Sequence, residues 1–151
     1  MENFVIYTDG GSRGNPGPAG AGAVATDQTG AVLREAHRAL ETITNNEAEY
    51  HAVILGLETI KKAVGKARAA AAQIEIRLDS ELVARQLAGQ YQIKEVNLQL
   101  LFMKIWNARV AAFPHLIFTH VPREKNRRAD WLANQAMDEG GRPLAKNLFS
   151  E

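Results

Sequence analysis

The chain has 151 residues, enough for one domain with one core. It is 46% hydrophobic and 23% charged with a net charge of +1, an ordinary globular composition and too mildly basic to establish nucleic-acid binding alone. It has no cysteine, which excludes disulfides, cysteine-ligated zinc and thiol catalysis, and no apolar run of the roughly 18 residues that a membrane span needs.

A first strand is expected over residues 3–9, where Phe4, Val5, Ile6 and Tyr7 form a β-prone run that stops on Asp9. Gly10, Gly11, Gly14, Gly17 and two prolines follow, a stretch that reads as a turn. Strands over 19–27 and 31–40, separated by Gln28, Thr29 and Gly30, predict a hairpin and hence three antiparallel strands. The period then changes. Tyr50, Val53, Ile54, Leu57 and Ile60 recur at helical spacing, and Thr44 and Glu47 stand three apart as in a capping box. The alanines at 69–72 read as a helix end or linker. "AQIEIRLDS" alternates as a fourth strand ending on Asp79, and "ELVARQLAGQY" is a short helix closed by Gly89. A longer helix over 95–113 stops before Pro114, "HLIFTHV" is a fifth strand, and a last helix from residue 128 carries Asp130 and has Gly140 and Gly141 past its C-terminus. The order β-β-β-α-β-α-α-β-α predicts an α/β fold with a mixed five-stranded sheet flanked by helices. One domain is expected over 1–140, with a loosely held tail over 141–151. The N-terminus lacks the basic and apolar regions of a signal peptide, so a cytoplasmic protein is expected.

Four acids stand at the ends of these elements. Three have a plain structural explanation: Asp9 in a turn, Asp79 as a helix cap, Asp130 as a first-turn acid favoured by the helix dipole. The capping box accounts fully for Glu47 but not for Glu49, which falls at the edge of the stripe formed by Val53, Leu57, Ile60 and Val64. If the first and fourth strands are neighbours, all four acids share one space at the strand ends, where α/β sites gather. Such a cluster repels itself unless cations bind, and hard divalent ions such as Mg²⁺ suit it. Two ions roughly 4 Å apart serve phosphodiester cleavage. Arg123, Lys125, Arg127 and Arg128 form a basic cluster beside Asp130, either a solvated loop or a grip for phosphates.

Four segments, "YTDGGSRGNPGPAGAG", "TNNEAEYHAVILGL", "LDSELVARQL" and "HVPREKNRRADWLANQAM", resemble the signature segments of type 1 ribonuclease H, in order, from residue 1 to about 138. The resemblance implies a ribonuclease H-like fold and cleavage of the RNA strand of RNA/DNA hybrids, leaving 3′-hydroxyl and 5′-phosphate ends. It implies two Mg²⁺ ions, with Mn²⁺ as a substitute, held by Asp9, Glu49, Asp79 and Asp130, with Asp9 bridging them. It places Asn15 and Thr44 near a DNA-strand phosphate, Asn45 and the Gly10–Gly11 backbone near the minor groove, and Glu81 where the family often carries glutamine. "LAGQYQIKEVNLQLL" runs from helix to helix without the basic protrusion of some members, which resembles the branch lacking it. His120, ten residues before Asp130, matches the family's catalytic histidine by spacing; Arg123 and Glu124 are its rivals. A monomer is expected, with a fused C-terminal domain left open. Nucleases with broader substrates, namely double-stranded RNA or single-ribonucleotide junctions, and a non-catalytic nucleic-acid-binding module are the alternatives.

Overall fold

The computed structural model describes residues 1–140; the expected tail at 141–151 lies outside them. The strands are β1 (Asn3–Ser12), β2 (Gly17–Asp27), β3 (Val32–Ile43), β4 (Gln73–Leu78) and β5 (Leu116–His120). The helices are α1 (Asn45–Val64), α2 (Lys66–Ala71), α3 (Glu81–Leu87), α4 (Val96–Ala112) and α5 (Arg127–Gly140). One sheet takes the order β3-β2-β1-β4-β5. β1, β2 and β3 pair antiparallel, and β4 and β5 add parallel to β1. This is the expected mixed five-stranded architecture. No described helix is long and apolar enough to cross a membrane.

β1 does not stop on Asp9. Gly10, Gly11 and Ser12 stay in the ladder, opposite Ala21, Gly20 and Ala19 of β2. A partner strand for each residue outweighs glycine's weak strand preference, so the loop shrinks to residues 13–16. Pairing with β4, by contrast, runs only from Asn3 to Tyr7. Asp9 therefore sits just beyond the point where β1 and β4 part. The Ala/Lys-rich segment also differs from a plain linker: Gly65, at φ +89°, ends α1, and a six-residue helix follows. Residues 88–95 join α3 to α4 with no helix between them.

β2 explains why its sequence is so small-sided. Ala21 and Ala23 pack with Ala52 and Leu55 of α1. On the opposite face Gly20 and Gly22 meet the α5 backbone, and Val24 packs with Ala129 and Leu132. A strand covered on both faces loses the polar alternation of a half-exposed one. The larger core lies on the α1 face, where Ile6, Tyr50, Val53, Ile74, Ile76 and Leu116 cluster.

A Cβ at Gly22 would lie 2.5 Å from the Ala129 carbonyl oxygen. Gly22→Ala must push α5 off the sheet, and such overpacking costs about 1–3 kcal/mol. We expect a melting temperature lower by several degrees; an unchanged one would show that α5 is not seated at this seam.

Candidate active site

The β1–β4 register pairs Tyr7 with Arg77, and Arg77 Nη1 donates to the Tyr7 hydroxyl at 2.9 Å. Two residues on, the same register sets Asp9 beside Asp79, and side chains at matched positions of parallel strands share a face. Asp79 is free for this role because Ser80 caps α3, its Oγ accepting the Val83 N–H at 3.3 Å.

Glu49 arrives from the other face of the sheet. The capping box is present as expected. Glu47 N–H donates to Thr44 Oγ1 at 3.2 Å, and Thr44 N–H donates to Glu47 Oε1 at 3.3 Å. Glu49, two residues on, is left to point inward and is 7% exposed. It reaches Asp9 across Gly10, whose N–H donates to Glu49 Oε1 at 3.4 Å. A Cβ at Gly10 would stand 2.1 Å from the Ala48 carbonyl oxygen. This glycine's missing side chain therefore admits α1 itself. A Cβ at Gly11 would meet only ordinary contacts, at 3.5 Å or more.

Asp9, Glu49 and Asp79 each offer a carboxylate oxygen within 4.8 Å of the other two. Asp130, in the first turn of α5, completes the rim of the same cleft, which has a volume of about 480 Å³. Burial, then the charges of Glu49 and Asp79, push the Asp9 carboxyl far above the usual carboxylate range, and hydrogen bonding with Asp130 adds to the rise. Burial and then Asp79 raise Glu49 as well. Glu49 Oε2 is buried with no hydrogen-bond partner. An all-carboxylate oxygen set with such an orphaned atom fits a hard divalent cation.

A family profile described as Reverse transcriptase-like matches residues 7–136. Ribonuclease H of Hydrogenovibrio crunogenus is 33% identical over 152 residues, covering 92% of this chain and 98% of that protein. The chain belongs to the ribonuclease H family. LC11-RNase H1, isolated from compost by a metagenomic approach and crystallised in complex with RNA/DNA hybrid, is 46% identical. It superposes with a TM-score of 0.86 over 90% of this chain and 97% of its own. A bifunctional protein of Mycobacterium tuberculosis is 42% identical over 142 residues, 93% of this chain but 37% of that protein. The chain thus spans little more than a third of that relative's length.

The other expected site residues of this ribonuclease H domain fall in three places. Gly10, Gly11, Asn45 and Arg123 line the cleft with the acids. Arg123 opens a 3₁₀ turn over residues 123–125, and its charge counters the rise at Glu49. Asn15 and Thr44 hold the α1 entrance: Asn15 Oδ1 accepts the Asn45 N–H at 3.0 Å, and Thr44 is the cap. Asn45 in turn spends its Oδ1 on the Ser12 N–H at 2.9 Å. His120 and Glu81 do not line the cleft. His120 is exposed at the end of β5, and Glu81 is paired with Arg85 at 3.0 Å along α3.

Sequence reasoning passed over Asn126, Asn134 and Met137. Asn134 and Met137 line the cleft from α5. Asn134 Nδ2 donates to the Asp130 carbonyl at 2.9 Å. Asn126 is buried beneath the basic cluster, and its Nδ2 donates to Asp79 Oδ2 at 3.1 Å. Only its place just before a helix signalled it, as asparagine favours that position.

The raised carboxyls make the metal-free protein sensitive to alkali. Asp9 and Glu49 keep their protons longer folded than unfolded. Their contribution is complete below about pH 4, where the unfolded groups protonate, and is lost as pH rises through the higher folded values. In EDTA we expect Asp9→Asn to melt higher than the parent chain, by a margin that grows from pH 5 to pH 8. A margin that shrinks with pH would contradict the clustered-acid picture.

Proposed function

We propose that the domain is a metal-dependent endoribonuclease. It hydrolyses the RNA strand of RNA/DNA hybrids by a two-metal-ion mechanism, leaving 3′-hydroxyl and 5′-phosphate ends. The observation that carries this reading is the meeting of Asp9, Glu49 and Asp79 within 4.8 Å. It occurs in a family whose member LC11-RNase H1 was crystallised with RNA/DNA hybrid. Mg²⁺ ions, with Mn²⁺ as a substitute, held by Asp9, Glu49, Asp79 and Asp130, would supply activation of the attacking water and stabilisation of the leaving oxygen.

The chain's own groups divide the remaining work. Asp9 takes the central position, since Glu49, Asp79 and Asp130 all act on its carboxyl. The N-terminal end of α1, with Thr44 and Asn45, presents a positive dipole end to a phosphate. Asn45, its carbonyl oxygen engaged by Ser12, keeps its amide nitrogen as a donor for the minor groove. There the 2′-hydroxyls distinguish RNA from DNA. The Arg123 guanidinium holds phosphate oxygens in its planar fork and assists release of the cleaved strand. His120, which does not line the cleft, serves neither purpose.

The test is cleavage of four duplexes, RNA/DNA, RNA/RNA, DNA/DNA and a single-ribonucleotide junction, with and without Mg²⁺. Cutting of the RNA strand of the hybrid, only with Mg²⁺, is expected; cutting in EDTA, or none of the hybrid at all, overturns the reading. Glu49→Gln should lose at least about 100-fold in turnover, on the scale of lost transition-state stabilisation. Glu47→Gln should stay within a few-fold, because glutamine still closes a capping box. The reverse order would show that the wrong glutamate has been chosen. Arg123→Ala should slow steady-state turnover more than single-turnover cleavage, and more than His120→Ala does. A His120→Ala protein that melts normally with the larger loss would restore the histidine to that role.

A further inference from the structure

Asn126 is 1% exposed, although it lies in a run of charged residues between β5 and α5. Its Nδ2 donates twice, to the Thr8 carbonyl at 2.9 Å and to Asp79 Oδ2 at 3.1 Å. Both partners are acceptors, so the amide nitrogen and not the oxygen must face them. Thr8 is the residue before Asp9. The backbone of Asn126 is committed as well. Its N–H donates to the Arg123 carbonyl at 2.9 Å, closing the 3₁₀ turn. Its carbonyl accepts the Asp130 N–H at 3.1 Å, the bond that starts α5.

One buried residue thus touches the segments that carry Asp9, Asp79, Arg123 and Asp130. Asp79 stands just past the end of β4, between Leu78, whose carbonyl accepts the Val121 N–H at 2.9 Å, and the cap residue Ser80, so its backbone is placed but its side chain is not. Its carboxylate needs a side-chain partner to choose a rotamer. A donor on Oδ2 limits how the carboxylate can turn beside Asp9 and Glu49. We infer that Asn126 is a positioning residue for the acid cluster. It orients Asp79 as a cation ligand, and through its backbone it sets where Asp130 and Arg123 stand. It holds no cation and touches no substrate itself. Outer partners of this kind typically change metal affinity 10- to 100-fold when removed. This inference rests on the proposed cation site.

The experiment is equilibrium Mn²⁺ binding to the whole chain without nucleic acid, followed by the electron paramagnetic resonance signal of free Mn²⁺. Four proteins are compared: parent, Asn126→Ala, Asp79→Ala and the double variant, with folding checked by circular dichroism in EDTA. We expect Asn126→Ala to weaken Mn²⁺ binding about 10-fold or more. In the Asp79→Ala background, where Asn126 has no carboxylate to orient, the same change should alter binding less than about twofold. Unchanged affinity in the single variant overturns the inference while leaving the cation site standing. An equal loss in both backgrounds also overturns it, because a merely looser fold would act without Asp79. A parent chain that binds no Mn²⁺ removes both the inference and the proposed cation site. If the alanine variant does not fold, Asn126→Leu, which keeps the shape and removes the donor, takes its place in the same cycle.

Discussion

Three carboxylates whose oxygens lie within 4.8 Å of one another repel, and two of them, Asp9 and Glu49, are mostly withdrawn from water. Coulomb repulsion at such separations grows as the surroundings dry, and desolvation penalises each charge again. The cluster is stable only with protons or cations in it. Everything around it resists its flying apart. β1 and β4 are locked in parallel register, α1 is pinned at its first turn by the capping box, and α5 is seated against β2. The destabilised place in the fold is the place with chemical use, a common relation in enzymes.

Short acids from separate layers meet only if the layers come unusually close. Aspartate and glutamate side chains span few bonds, so the backbones must do most of the approaching. The seams that permit it are small-residue contacts: Gly10 against Ala48, Gly20 against Ala133 and Gly22 against Ala129. At each, an added Cβ would fall within 2.6 Å of a carbonyl oxygen. Gly10 reads in the sequence as part of a loose turn, yet in the folded chain it is a tight contact between layers. Gly10 illustrates the inversion best, since its bareness serves the approach of α1, while Gly11 beside it faces the cleft.

The cleft mouth is built as a linked frame. Ser12 is tied to Asn45, Asn45 to Asn15, and Arg13 at the loop tip is paired with Asp138 and with Asn134, which reaches back to Asp130. The β1–β2 loop, the start of α1 and the first turn of α5 are therefore coupled through side chains rather than left to move singly. For the proposed hybrid substrate this rigidity matters. Positioned donors cost less ordering on binding, and the frame holds the first turn of α5, which carries Asp130, against the loop.

The sequence by itself determined the elements and the family. β-prone runs, turn signals and periodicity together located all five strands and the main helices, because side-chain burial repeats every two or 3.6 residues and turns punctuate the repeats. The split between Glu47 and Glu49 was legible too, since a capping box is a local pattern whose partners are three residues apart. What local pattern could not carry was anything decided by a partner distant in the chain. β1 continues past Asp9 because β2 supplies bonds to its glycines, Asp79 is released because Ser80 takes the cap, and His120 is left outside the cleft while Arg123 enters it. Asn126 is the clearest case. In the sequence it is a polar residue among charges, and only the packing of β5, α5, β1 and β4 around it buries its amide and aims that amide at Asp79. Hydrogen bonds between residues 47 and 118 positions apart leave no trace in a local window, since their geometry exists only once the sheet has formed.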